Sequence, residues 1–223
     1  MLRPVIMIMG MIALPLQVLA AIQSVPSVDG ALISAIAGSA PGDVLLLDPG
    51  SHLGPIELDK PITIDGQGQA TIKGNDAGSV ISVTGMDITI RGLNISGSGS
   101  SHETIDSGVQ LHRTAARIVV EDNRILGNLY GVDIHGAKNA TVRGNTIIGR
   151  RDHRMNSRGN GIYVWNAAGT MVENNDIQYG RDGIFVNTSN RGVFRGNLMR
   201  DLRFAVHYMY AHDSEISENI SVG

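Results

Sequence analysis

His207 and Met209 stand two residues apart, with His212 just beyond, in a 223-residue chain that contains no cysteine. Imidazole and thioether are soft donors suited to Cu(I), so these three side chains could hold a copper ion transiently. His153 and Met155 form a second His-x-Met pair. Without a thiolate, a tight structural zinc site is not expected. The two-residue spacing belongs to a set of five related strings, four of them upstream. Their first positions are Gln110, Asp133, Tyr163, Phe185 and His207, and their second positions are His112, His135, Trp165, Asn187 and Met209. Side chains alternate across a strand, so stacked strands would turn each set into an outward column. The columns hold the single tryptophan and three of the seven histidines. Aromatics beside histidines are unexpected on a plain solvent face, and the columns read as a binding surface for a protein, a glycan or a metal. The bland alternative is a face covered by another segment, such as an insertion within residues 149–160.

The elements that must position these residues follow from internal repetition. Asn123, Asn145, Asn175, Asn197 and Asn219 end similar strings, at steps of 22, 30, 22 and 22 residues. Each unit has a second half of the form Gly-apolar-x-apolar: Gly131-Val132-Asp133-Ile134, Gly161-Ile162-Tyr163-Val164 and Gly183-Ile184-Phe185-Val186, with Ala205-Val206-His207-Tyr208 as the last. A unit of this length with short alternating strands cannot bury its own apolar face, whereas stacked units form one continuous core. The expected fold is all-β, a right-handed parallel β-helix of ~22-residue coils about 4.8 Å apart. The asparagines are expected to form a structural ladder at one turn. The single long step carries the Arg150–Asn160 insertion.

The ends and the charge add organisation. Arg3, the apolar run from Val5 to Leu16 and the small residues at 18–21 read as a signal peptide over residues 1–21, too short to span a bilayer. Residues 22–43 read as an N-terminal cap region, with a short helix within Ser27–Ala40, and residues 44–223 as the solenoid. The chain stops at Gly223 within the strand after Asn219, without a polar cap, so further C-terminal coils are expected. The formal net charge is -3, yet residues 143–203 hold ten arginines against five acids. That excess suits an acidic partner or a polyanionic glycan, or a solvated outer face with ion pairs between coils.

Beyond the core pattern, outward residues are also specified. Arg158-Gly159-Asn160-Gly161-Ile162-Tyr163-Val164-Trp165-Asn166, Arg181-Asp182-Gly183-Ile184-Phe185-Val186 and Leu202-Arg203-Phe204-Ala205-Val206-His207-Tyr208-Met209-Tyr210 resemble the NosD family of nitrous-oxide-reductase maturation proteins. The likeness covers roughly residues 105–223. It implies a periplasmic β-helix that works with the ATPase and permease subunits of an ABC transporter in assembling the copper–sulfide centre of nitrous oxide reductase. A copper chaperone and the reductase itself are implied as further partners. Such a protein would be a docking and copper-handover scaffold, not a catalyst, without organic cofactor, nucleic-acid partner or membrane span.

An enzymatic reading rests on a different likeness. Tyr130-Gly131-Val132-Asp133-Ile134-His135 resembles the catalytic segment of alginate C5-epimerases, which would make Tyr130, Asp133 and His135 a proton-transfer set. Ile134 stands where that family has proline, and Gly136 where it has an acid. Glycoside hydrolysis needs a pair of carboxylates on one face, and the columns contain only Asp133. A third reading is a non-catalytic glycan-binding module, with Tyr163, Trp165 and Phe185 as stacking platforms.

Overall fold

The computed structural model describes residues 20–152 and 154–223. The expected signal peptide therefore lies almost wholly outside the described residues, and so does His153. The chain forms a parallel β-solenoid, with about nine turns among the described residues. Every pairing between named strands is parallel. One sheet stacks, in order, the strands Phe204–Met209, Asp182–Asn187, Ile162–Trp165, Tyr130–His135, Ser107–Leu111, Ile81–Val83 and Ile56–Leu58. The remaining strands form a second sheet that folds around the other side of the core. Residues 22–43 contribute a strand, Ile22–Val25, paired in parallel with Val44–Leu47, and a helix, Ala31–Gly38. The helix buries Leu32, Ala35 and Ile36 against the first coils.

Five successive coils turn one corner by the same device. The residue before each ladder asparagine is left-handed: Asp122, Gly144, Asn174, Gly196 and Glu218 have φ of 54, 64, 56, 66 and 55°. That conformation breaks the strand and aims the next side chain into the interior. Asn175 shows what the side chain does there. Its Oδ1 accepts the backbone N–H of Asn145 and the Asn145 Nδ2–H, each at 3.0 Å. Its Nδ2 donates to the Val142 carbonyl and to Asn197 Oδ1, each at 2.9 Å. The same bonding runs from Asn123 through Asn145, Asn175 and Asn197 to Asn219. A buried corner would otherwise strand backbone groups, and the amide satisfies them on both neighbouring coils.

The core is built from the alternating apolar residues. Val132, Ile134, Ile162, Val164, Ile184 and Val186 are fully buried. Gly108, Gly131, Gly161 and Gly183, near the start of four of the face strands, also point inward. A Cβ on Gly131 would lie 2.5 Å from Ile147 Cγ2, and one on Gly108 would lie 2.6 Å from Ile125 Cγ2. Two successive inward positions, such as Gly131 and Val132, leave the residue before the glycine pointing outward. Because the opposing sheet comes this close, the first inward position must be nearly bare.

Asn175→Ala should remove four buried hydrogen bonds at once and leave the Asn145 N–H unpaired, costing about 3 kcal/mol. Urea unfolding of the variant beside wild type measures it. A loss below about 0.5 kcal/mol would show that the ladder is not structural.

Candidate functional site

The face of the seven-stranded sheet carries three outward columns. The two expected ones are in register: Asp133 pairs with Gln110 and Tyr163, Tyr163 with Phe185, and Phe185 with His207. In the second, His135 pairs with Trp165, Trp165 with Asn187, and Asn187 with Met209. The third column precedes the glycines and contains Ser107, Tyr130, Asn160, Asp182 and Phe204. Reading outward positions only after each glycine passes over it. The consistent offset from the glycine was the available signal.

Rings link across the columns into one chain. His102, Tyr130, Tyr163, Phe185, His207 and Phe204 follow one another with centroids 4.7–6.0 Å apart. His102 comes from a loop outside the repeat, which no periodic signal would flag. Its Nε2 faces the Ser157 carbonyl at 3.1 Å and its Nδ1 the Tyr130 hydroxyl at 3.0 Å. The carbonyl can only accept, so Nε2–H donates to it and the Tyr130 O–H donates to Nδ1 of the neutral ring. The insertion is held against the same loop. Arg150 donates to the carbonyls of Ser98, Gly99 and Gly127 at 2.8–3.0 Å. Loop and insertion thus border the face at Tyr130 and leave Trp165 and His207 partly exposed. Beside Gln110 lies an open groove of about 660 Å³, with Ser79, Ser101 and Thr104 on its walls.

Asp133 departs from expectation. It sits in an outward column, yet it is 0% exposed. Gln110 Nε2 donates to its Oδ2 at 3.2 Å, and its Oδ1 has no partner. Burial, only partly offset by Gln110, pushes its carboxyl up to about 7. No hydrogen bond links Tyr130, Asp133 and His135 to one another. Tyr130 is engaged by His102, and His135 Nδ1 stays 4.0 Å from Asp133 Oδ1, too far for a hydrogen bond. The His135 ring instead stacks on Trp165, with centroids 4.3 Å apart. Burial first, and the nearby His112 second, hold the His135 pKa below the usual imidazole value.

The residues marked for copper are only partly brought together. His207 and Met209 share the outer face of one strand. His212 lies past the turn at Tyr210 and Ala211, its backbone N–H tied to Asn190 Oδ1 at 2.9 Å. Among the described residues no group of three His, Cys, Asp or Glu could hold a metal ion. His207 does have a partner the spacing missed, since its Nδ1 is 3.2 Å from Oδ2 of Asp182. Asp182 is itself 0% exposed and takes both arms of Arg203, at 2.9 and 2.8 Å. Arg181 Nε lies 3.7 Å from the same carboxylate.

Residues 148–223 match the family described as "Periplasmic copper-binding protein (NosD)". The chain is 31% identical over 137 residues to the probable ABC transporter binding protein NosD of Stutzerimonas stutzeri, covering 61% of this chain and 31% of that protein. The protein of the same description from Pseudomonas aeruginosa is 28% identical over 137 residues, 61% of this chain and 32% of its own length. The match thus spans about a third of the length of the curated relatives. Among solved structures, pectate lyase Pel9A superposes with a TM-score of 0.68 at 15% identity, covering 91% of this chain and 62% of that one. The alginate lyase of Paenibacillus sp. superposes at 0.60 with 16% identity, covering 90% and 98%. At such identities the likeness concerns the solenoid alone.

A carboxyl whose pKa rises on folding stays protonated in the folded chain after the unfolded chain has released its proton. Its contribution is complete below the ordinary value of 3.8 and is lost as pH rises towards about 7. Wild type should lose up to roughly 4 kcal/mol more than Asp133→Asn between pH 4 and pH 7.5. Urea unfolding of both proteins across that range checks it; parallel stability curves would refute the raised pKa.

Proposed function

We propose that this NosD-type chain is a periplasmic accessory protein that works with an ABC transporter. In that reading it is exported by its N-terminal segment and acts as a docking and handover scaffold, not a catalyst, in assembly of the copper–sulfide centre of nitrous oxide reductase. Its partners are the transporter's ATPase and permease subunits, a copper chaperone and the reductase. Copper is cargo here, not a resident cofactor. The observation that carries the reading is the NosD-type match over residues 148–223, which includes most of the aromatic and soft-donor part of the face: Tyr163, Trp165, Phe185, His207 and Met209. Imidazole and thioether on one strand suit Cu(I), and the two need no thiolate. No helix among the described residues is long and apolar enough to cross a membrane.

The chain of aromatic rings favours a second reading, a β-helix that binds a glycan on Tyr163, Trp165 and Phe185 or modifies a uronan with Tyr130, Asp133 and His135. It requires affinity for, or turnover of, a polyuronate that Asp133→Asn abolishes, whereas copper handover should survive that change.

Deleting the gene in its native host should leave nitrous oxide reductase exported but without its catalytic copper centre. Complementation with the full-length gene carrying His207→Ala and Met209→Ala should restore less than about a tenth of the reductase copper that the wild-type gene restores. Copper analysis of purified reductase measures both. A normally loaded reductase in the deletion strain would end the maturation reading.

A further inference from the structure

Among the face histidines whose ring contacts are known, His207 stands out for the group behind it. His135 has an unpaired Nδ1 and lies flat against Trp165. His102 spends both nitrogens on Tyr130 and Ser157. His207 directs Nδ1 at a buried carboxylate, while its side chain remains 29% exposed. A carboxylate oxygen can only accept, so Nδ1 carries the hydrogen. In the neutral ring the lone pair is then on Nε2. The ring is wedged edge-on between Phe185 and Phe204, at 4.7 and 5.3 Å. Tautomer and orientation are therefore both set before any ligand arrives.

We propose that Asp182 and Arg203 are positioning residues that make His207 Nε2 a preformed donor for Cu(I) and keep divalent cations away; this rests on the copper-handover reading. Asp182 orients the imidazole and raises its donor strength, as a carboxylate behind a metal-binding histidine does. A free carboxylate beside the imidazole would also attract hard or divalent ions such as Ca²⁺ and Zn²⁺. Arg203 prevents this by occupying both oxygens of Asp182. With Arg181 also close, two guanidinium groups surround one carboxylate. The local excess of positive charge opposes a divalent ion about twice as strongly as a monovalent one at the same place. Imidazole and thioether therefore offer a soft monovalent ion a donor set at the smaller electrostatic cost.

The first measurement needs no copper. Long-range ¹H–¹⁵N spectra of the neutral His207 ring should show the Nδ1–H tautomer in the wild-type chain and a mixture in Asp182→Asn. A wild-type mixture, or an unchanged Asp182→Asn spectrum, would overturn the positioning role. The second is competition for Cu(I) against a chromophoric chelator, with Zn²⁺ titrated separately. Asp182→Asn should weaken Cu(I) binding about 10- to 100-fold. Arg203→Gln should strengthen Zn²⁺ binding relative to Cu(I) about tenfold or more, and an unchanged ratio would overturn the exclusion of divalent ions. Asp182→Glu should recover part of the Cu(I) affinity and part of the tautomer preference, which separates positioning from simple loss of stability. If the tautomer behaves as stated but wild type binds no Cu(I), the handover reading has failed while the positioning geometry stands.

Discussion

The fold depends on satisfying backbone groups at a corner where the chain must turn inside a dry interior. Parallel strands pair along the solenoid axis and need no further help, but the corner between the two strands that each coil of the asparagine ladder gives to the larger sheet interrupts that pairing. A left-handed residue followed by a buried asparagine solves this, because one amide accepts from the coil on one side and donates to the coil on the other. The asparagines also align the coils, and aligned coils bring the outward columns into register. Rings contributed by separate coils meet at 4.7–6.0 Å on the face because of that alignment.

The repeat made the fold legible. Asparagine spacing announced the ladder and the long step, and alternation after each glycine separated core from face. The short helix near the N-terminus also follows expectation, at Ala31–Gly38. The face was legible in register but not in burial. Asp133 is outward by periodicity and yet fully buried, with Gln110 bonded to one of its oxygens. The third column escaped because two inward residues in succession break strict alternation. His102 escaped because it lies outside the repeat. His207 and Met209 were placed on one face correctly by spacing, whereas the path of the chain after Met209, which separates His212 from them, depends on the turn at Tyr210, φ 49°.

Two buried carboxyls on the same face show how much their neighbours matter. Asp133 meets a neutral amide and a distant imidazole, so desolvation governs it and favours its protonated form. Asp182 is equally buried but has Arg203 on both oxygens and His207 beside it. A charge taken out of water persists where it is paired and hydrogen-bonded. The face thus joins a buried carboxyl of raised pKa at one end to an ion-paired, histidine-bearing patch at the other, with aromatic rings between them.

Parallel pairing along the axis also gives the molecule a direction of strength. Tension along the axis is carried by the coil boundaries in series, so the weakest boundary can open without the others. Tension along the strands loads whole ladders in shear, and these must yield together. A body of this kind held by its face would stay stiff along the strands and comply along its length, as a stack of plates does.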